Sequence, residues 1–282
     1  MASPLYNAIK ANDLETARRL LAEDPTQVNK LAYKHELIST NFQYAVEKGS
    51  PEMIKLLIEN GADLEKPYMY GDWQPLTMAV AKRKPEIVKI LLDAGAKVNE
   101  IIDKKLNATA LHFIGGSDRR SKPETYEMLD LLISAGADVN NPPGGSTLLH
   151  NSKDPVIVKR LLDAGANVNA VNKLGETPLS VNLGRPAFDP TTINIIQLLL
   201  ENGADVKIHV KGKSIYETAL GMRHLPDRVK ALIEEYKDHP TWLRRRHALA
   251  AFGAAGGGRS TATRHGGRRK RYRRRSLKSQ RR

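Results

Sequence analysis

The chain has 282 residues, with 45 lysine and arginine residues against 31 aspartate and glutamate residues, and it contains no cysteine. The absence of cysteine excludes a disulfide framework, a thiol nucleophile and a zinc finger or ribbon. The sequence has no run of about eighteen consecutive apolar residues and no apolar signal-peptide segment at its N-terminus, so we expect a soluble intracellular protein of the nucleus or the cytoplasm.

The positive charge is confined to the C-terminal end of the chain. From Pro240 to Arg282 there are fifteen basic residues and no acidic one, which leaves 30 basic and 31 acidic side chains in residues 1–239. Because this body is close to neutral, any strong attraction to phosphate must come from the C-terminal end. The chain therefore divides into a body and a basic tail.

Five segments of the body share one pattern, in which a hydrophobic run ends in Gly-Ala. Proline is favoured in the first turn of a helix and glycine just past its last turn, and a proline stands ten or thirteen residues before each of these glycines. The pairs are Pro51 and Gly61, Pro85 and Gly95, Pro123 and Gly136, Pro155 and Gly165, and Pro190 and Gly203. Each interval predicts one helix, and Ser50, Asp154 and Asp189 are candidate N-caps.

A second pattern precedes each of these helices, as in "NATALH", "GSTLLH" and "GETPLS". Its first positions are 30 to 38 residues apart, at Ser3, Thr40, Gln74, Thr109, Thr147, Thr177 and Ser214. Together with the Gly-Ala-Asp-Val-Asn turns, this resembles the T-P-L-H-x-A consensus of the ankyrin repeat, whose period is about 33 residues. The resemblance implies an all-α ankyrin-repeat solenoid of about seven helix-turn-helix units with short hairpin fingers.

This pattern predicts three regions. Residues 1–236 form the ankyrin repeat domain, 237–255 a capping helix and linker, and 256–282 a disordered Arg-rich tail. For the segment from Trp242 to Phe252, a cap on the last repeat and an anchor for a partner or a membrane surface are both open. Irregular repeats followed by a basic tail are similar in style to ankyrin proteins of large DNA viruses.

Two units carry extra residues between their helices, at 115–124 and at 184–190. Insertions in repeat proteins fall in loops. They are interpreted either as tolerated loop variation or, for the first, as a contact loop that uses Arg119 and Arg120.

An aromatic cluster marks the hairpin between the second and third units, where Tyr68, Tyr70 and Trp73 lie within six residues. The next hairpin adds Ile101 and Ile102. Partners of ankyrin proteins tend to dock on the fingers and inner helices, and Tyr and Trp are enriched at interface hot spots. We predict a protein-binding patch at these five residues; the alternative is that Trp73 and one of the tyrosines pack across the finger.

No constellation of catalytic, cofactor-binding or metal-binding residues is found, so neither an enzyme nor a cofactor is expected. His112 and His150 fall on the consensus histidine, whose usual role in the family is to hydrogen-bond the neighbouring turn. The resemblance also implies that Asn99, Asn140 and Asn169 either support their turns or serve as substrates of an asparaginyl oxygenase.

The favoured function is a non-enzymatic, monomeric scaffold that binds an unidentified protein through the concave face of its repeats. The tail has three interpretations: a nuclear targeting signal, a phosphate-binding arm for RNA or DNA, and a patch for anionic lipid. The alternative function is a nucleic-acid-associated adaptor, in which the tail binds RNA or DNA and the repeats recruit a partner. The targeting or phosphate-contact residues are Arg268, Arg269, Lys270, Arg271, Arg273, Arg274 and Arg275.

Overall fold

The computed structural model describes residues 3–32, 39–68, 73–102, 108–115, 122–141 and 145–238. Within these ranges the chain forms successive helix pairs, and turns connect each pair to the next. In chain order the pairs are α1 (Pro4–Ala11) and α2 (Leu14–Glu23), α3 (Asn41–Lys48) and α4 (Pro51–Glu59), α5 (Pro75–Ala81) and α6 (Pro85–Asp93), the 3-10 helix Ala110–Gly115 and α7 (Pro123–Ser134), α8 (Leu148–Asn151) and α9 (Pro155–Asp163), α10 (Pro178–Leu183) and α11 (Pro190–Glu201), and α12 (Ile215–Gly221) and α13 (Asp227–Tyr236).

The helices form two layers. The first helix of each pair packs on the first helix of the next pair from α1 through α10, and the second helices pack in the same way from α2 through α13. A continuous cluster of buried apolar side chains runs between the layers from Leu5 to Ile233. The fold is therefore a solenoid, in which each unit contacts mainly its sequence neighbours.

Two further elements lie in the turns. A second 3-10 helix, Pro25–Asn29, follows α2 and takes the place of the glycine turn in the first unit. The strands β1 (His209–Val210) and β2 (Lys213–Ser214) pair antiparallel before α12. Lys211 and Gly212 connect them with φ of 54° and 83°, the left-handed conformation that a tight two-residue hairpin turn requires.

The local signals for the second helices are confirmed. All five prolines occupy the first turn of their helices, and Ser50, Asp154 and Asp189 each accept a backbone N–H as N-caps. The five glycines have φ between 82° and 100°, where a side chain would be strained. The two thirteen-residue intervals give helices of 12 residues, one turn longer than the 9-residue helices of the others.

The first positions of the second pattern are helix N-caps or precede a 3-10 helix. Ser3, Thr40, Thr177 and Ser214 accept backbone N–H groups with their side chains, and three of these caps are reciprocal capping boxes. Gln74 is an N-cap without a side-chain bond, and Thr109 donates its backbone N–H to His112 Nδ1. The repeated motif thus fixes where each first helix begins.

The insertion at 184–190 lies between α10 and α11, as predicted, and it packs against both neighbouring units. Arg185 Nη2 donates to the carbonyl of Ser152 at 2.9 Å, and burial lowers the pKa of its guanidinium. The ring of Phe188 lies 6.0 Å from that of His224. This loop therefore braces three units. Arg119 and Arg120 of the other insertion lie outside the described residues.

A ladder of asparagine side chains joins the turns of successive units. Each asparagine donates its amide to the carbonyl of the next unit's turn glycine and accepts the N–H two residues further on, with donor–acceptor distances of 2.7–3.2 Å. The residues are Asn29, Asn99, Asn140 and Asn169, which include the three that the sequence places in supporting turns. In the second unit Glu65 stands at this position and accepts the Lys97 N–H at 2.8 Å.

We predict that Glu65→Asn stabilises the solenoid. A carboxylate cannot donate to the Gly95 carbonyl, whereas an asparagine amide would add the bond that the other units make, raising the free energy of unfolding by about 1 kcal/mol. Urea denaturation monitored by circular dichroism measures this change. As a control, Asn169→Ala should lower the same free energy by about 1–3 kcal/mol. An unchanged or lower midpoint for Glu65→Asn would contradict the ladder as a source of stability.

Candidate functional site: the finger face

The surface formed by the hairpin turns and the exposed side of the first helices is here called the finger face. The structure places the predicted patch residues on it unequally. Tyr68 is buried, donates its hydroxyl to the Gln43 carbonyl at 2.8 Å, and has its pKa raised by that burial. Ile102 is also buried, while Ile101 is 44% exposed and Trp73 is half-buried. Tyr70 lies outside the described residues.

Tyr68 and Ile102 each close a finger with a backbone hydrogen bond. The Tyr68 N–H donates to the Trp73 carbonyl, and the Ile102 N–H donates to the Ala108 carbonyl, so each residue lies at the base of a finger and faces the adjacent helices. Their side chains therefore support the fingers. Of the four patch residues that the structure describes, Trp73 and Ile101 carry the exposed surface.

A row of half-buried side chains continues from Trp73 along the finger face. Trp73 meets Phe113 of the next unit edge-on, with ring centroids 4.6 Å apart at 76°. Tyr6 and Tyr44 form a second pair across the first two units, with centroids also 4.6 Å apart. Met78 lies on the intervening helix α5 and is likewise half-buried. We call these four aromatic residues, together with Met78 between them, the aromatic row; its members are Tyr6, Tyr44, Met78, Trp73 and Phe113.

Three members of the aromatic row share one position in the repeat pattern. Tyr44, Met78 and Phe113 each stand four residues after the first position of the T-P-L-H-like pattern, at the variable position of the consensus. On a helix this position lies on the side away from the buried leucine and alanine. A large apolar residue there in consecutive units therefore indicates an apolar surface strip.

The fingers are held to the first helices by buried polar side chains that we call tethers. His150 accepts the Thr147 N–H at Nδ1 and donates Nε2–H to the carbonyls of Ala170 and Glu176 on the following finger, at 3.0 and 3.2 Å. Gln43 does the same with Thr40 and with the carbonyls of Lys66 and Pro67. The predicted role of His150 in bonding the neighbouring turn is thus confirmed.

Burial also sets the protonation state of the consensus histidines. It lowers the pKa of both His112 and His150, because the charged imidazolium would lose its hydration. Within the described ranges, no group of three or more histidine, aspartate or glutamate side chains could hold a metal ion. The same part of the chain contains no helix with the length and apolarity needed to cross a bilayer.

The stacked helix pairs, the capped T-P-L-H-like turns and the left-handed glycines define a helical repeat protein. Residues 5–102 and 42–142 match the family model described as ankyrin repeats (3 copies). Residues 5–142 therefore belong to the ankyrin repeat family.

Relatives and solved structures agree with this assignment. Human ankyrin repeat and SOCS box protein 6 is 40% identical over 112 residues, covering 36% of this chain and 25% of that protein. The mouse B-cell lymphoma 3 protein homolog is 31% identical over 230 residues, covering 79% of this chain and 42% of that protein. The chain thus spans less than half the length of either relative. The crystal structure of the ankyrin repeat domain of Bcl-3 has a TM-score of 0.68 at 24% identity and covers 82% of this chain and 98% of that domain, which shows a shared fold.

The tether predicts a dependence of stability on pH. Because the folded state lowers the pKa of His150, the unfolded chain takes up the proton first as pH falls through about 6.5, and stability is lost below that pH. His150→Gln should keep the bond to Thr147 and the bonds to the following finger, as Gln43 does in its own unit, but glutamine cannot titrate. Urea denaturation at pH 7 and pH 5 should therefore show a smaller loss of stability for His150→Gln than for the unmodified chain, by up to about 1.4 kcal/mol per pH unit.

The exposed His209 supplies the control for this experiment. His209→Gln makes the same substitution at a surface position that is not a tether, and its unfolding free energies at the two pH values are compared with those of His150→Gln. A His150→Gln profile as steep as that of the unmodified chain would show that His150 is not held neutral by the fold.

Proposed function

We propose that this protein is a non-enzymatic scaffold whose finger face binds a protein partner through the aromatic row. The ankyrin repeat is a non-catalytic fold that serves as a general protein–protein interaction domain. The observation that carries the proposal is the pair of cross-unit aromatic contacts, Tyr6 with Tyr44 and Trp73 with Phe113, left half-buried on one face.

The aromatic row has the properties of an interface anchor. Its rings are already held by their neighbours, so a partner that covers them orders few additional side chains and loses little conformational entropy. Burial, together with the hydrogen bond that its hydroxyl donates to Tyr6, raises the pKa of Tyr44, so this phenol stays neutral at physiological pH. Ile101, 44% exposed on the next finger, extends the apolar surface.

The tail has a separate proposed role. Its seven-residue basic set, Arg268 to Arg275 without Tyr272, would serve in nuclear targeting or in phosphate contact, as proposed from the sequence.

A second candidate function, an adaptor whose tail binds RNA or DNA, is favoured by one observation: no acidic residue follows Asp238, while fifteen basic ones do. These residues lie outside the described ranges, and the proposal for them stands on their charge.

Affinity capture tests the aromatic row. The full chain is immobilised, proteins are captured from a cell extract, and they are quantified by mass spectrometry. Trp73→Ala combined with Phe113→Ala should weaken retention of the specific partner by about thirtyfold or more, because truncating a hot-spot aromatic costs about 2 kcal/mol. The control is Tyr126→Ala, a half-buried aromatic on the second helix layer. Equal losses from both variants, or from neither, would contradict the proposed face.

Titration with duplex DNA and single-stranded RNA at several salt concentrations tests the adaptor function. If the tail contacts six to ten phosphates, the affinity of the full chain falls by roughly 10³–10⁵ between 50 and 200 mM salt. A chain ending at Asp238 should then lose the binding. Nucleic-acid affinity that survives this truncation would assign the binding to the repeats instead.

A further inference from the structure

A cavity of about 310 Å³ lies on the finger face between the sixth and seventh units. Its apolar lining is formed by Leu183 of α10, Ile215 of α12, Val210 of the β1–β2 hairpin, and Met222. Ligand sites in proteins begin at roughly this size. The cavity is distant in sequence from the aromatic row, which occupies the first four units.

A short side chain at a tether position accounts for the cavity. Ser180 lines it and stands at the consensus histidine position of the sixth unit, where the fifth unit has His150 and the second has Gln43. The Ser180 hydroxyl donates to the Thr177 carbonyl at 3.0 Å, three residues back within its own unit. No side chain from α10 therefore occupies the space beneath the hairpin that a histidine tether would fill.

The hairpin above the cavity is held by other contacts. The Ile215 N–H donates to the Ile208 carbonyl, and the Tyr216 N–H donates to the Val206 carbonyl, at 3.0 and 2.9 Å. Lys211 forms an ion pair with Glu176 of the preceding finger at 3.3 Å. These contacts keep the hairpin in place while the space beneath it stays open.

The lip of the cavity is basic. Lys211 and Lys213 are exposed and outnumber the one carboxylate among the lining residues, Glu176, which Lys211 already pairs. The Glu217 carboxylate accepts hydrogen bonds from the Ser214 N–H and hydroxyl, which lower its pKa, and the positive charge of Lys213 lowers it further. The exposed Lys173 adds a further positive charge on the preceding finger. An occupant with an apolar group for the lining and acidic groups for the lip suits this cavity.

We propose that the cavity binds an extended acidic segment of a partner protein, with one large apolar side chain of the segment inserted beneath the hairpin and flanking carboxylates on Lys211 and Lys213. This inference rests on the proposed protein-binding function, but not on the aromatic row. The chain's own tail does not fit this description, because it has no acidic residue.

The decisive variant is Ser180→His. It gives the sixth unit a tether like His150 of the fifth, so we expect it to fill the cavity while the thermal midpoint of the protein stays equal or rises. Thr77→His, at the same consensus position of the third unit, is the matched control. The charge variant is Lys213→Glu, with the exposed Lys153→Glu of the α8–α9 connection as its control.

The probe is a fluorescein-labelled synthetic peptide of alternating Glu and Asp residues with one central leucine, titrated against the full chain by fluorescence anisotropy. The same peptide with a central alanine and a peptide with lysine at every acidic position are compared. In a second form the leucine is photoreactive, and the cross-linked residue is identified by mass spectrometry. The basic tail contributes equally to peptide binding in every variant, so differences in affinity between variants report binding at the cavity.

We expect the leucine peptide to bind about tenfold or more tightly than the alanine peptide, since only leucine buries a large apolar side chain in the cavity. Ser180→His should remove that difference, Lys213→Glu should weaken binding about fivefold, and the two controls should do neither. The cross-link should fall on Leu183, Val210, Ile215 or Met222.

Three results would overturn the proposal while leaving the aromatic row intact. They are equal affinity for the leucine and alanine peptides, a cross-link outside the lining residues, and tighter binding of the lysine peptide. A Ser180→His variant that changes the sedimentation coefficient but not peptide binding would assign the cavity to a second copy of the chain and would also overturn it.

Discussion

The structure depends on hydrogen bonds that cross from each unit to the next. A single helix pair cannot bury its apolar face alone, so each unit is stable only in register with its neighbours. The asparagine ladder fixes that register at the turns, and the tethers His150 and Gln43 fix it at the fingers. Because both sets of bonds end on backbone N–H and carbonyl groups, they hold the solenoid together without specifying which residues the finger face displays.

Where a unit lacks the usual ladder or tether residue, the structural consequence depends on the position. Glu65 replaces a ladder asparagine, so the turn loses one hydrogen-bond donor but keeps the bond from Lys97, and the expected effect is on stability. At Ser180 the departure removes side-chain volume beneath a finger and opens a cavity. The consensus histidine position can therefore hold a finger in one unit, as at His150, and line a surface cavity in another, as at Ser180.

Sequence predicts this fold well because its signals are local. Pro85 and Gly95 bound a helix through their own backbone preferences, and Thr40 caps one through residues three positions away. The finger face was less predictable, because burial there depends on contacts between units. Nothing near Tyr68 in the chain indicates that its hydroxyl meets the Gln43 carbonyl of the preceding helix. Phe113 could have been found from its place in the repeat, but its contact with Trp73 crosses a unit boundary.

The central claim is that the finger face of the first four units binds a partner. Hydrogen–deuterium exchange of the full chain, free and saturated with the captured partner, tests it most directly. The claim predicts slower exchange in the backbone around Trp73, Ile101 and Phe113, with exchange in α6 and α7 unchanged. Protection confined to the second helix layer or to the basic tail would contradict it.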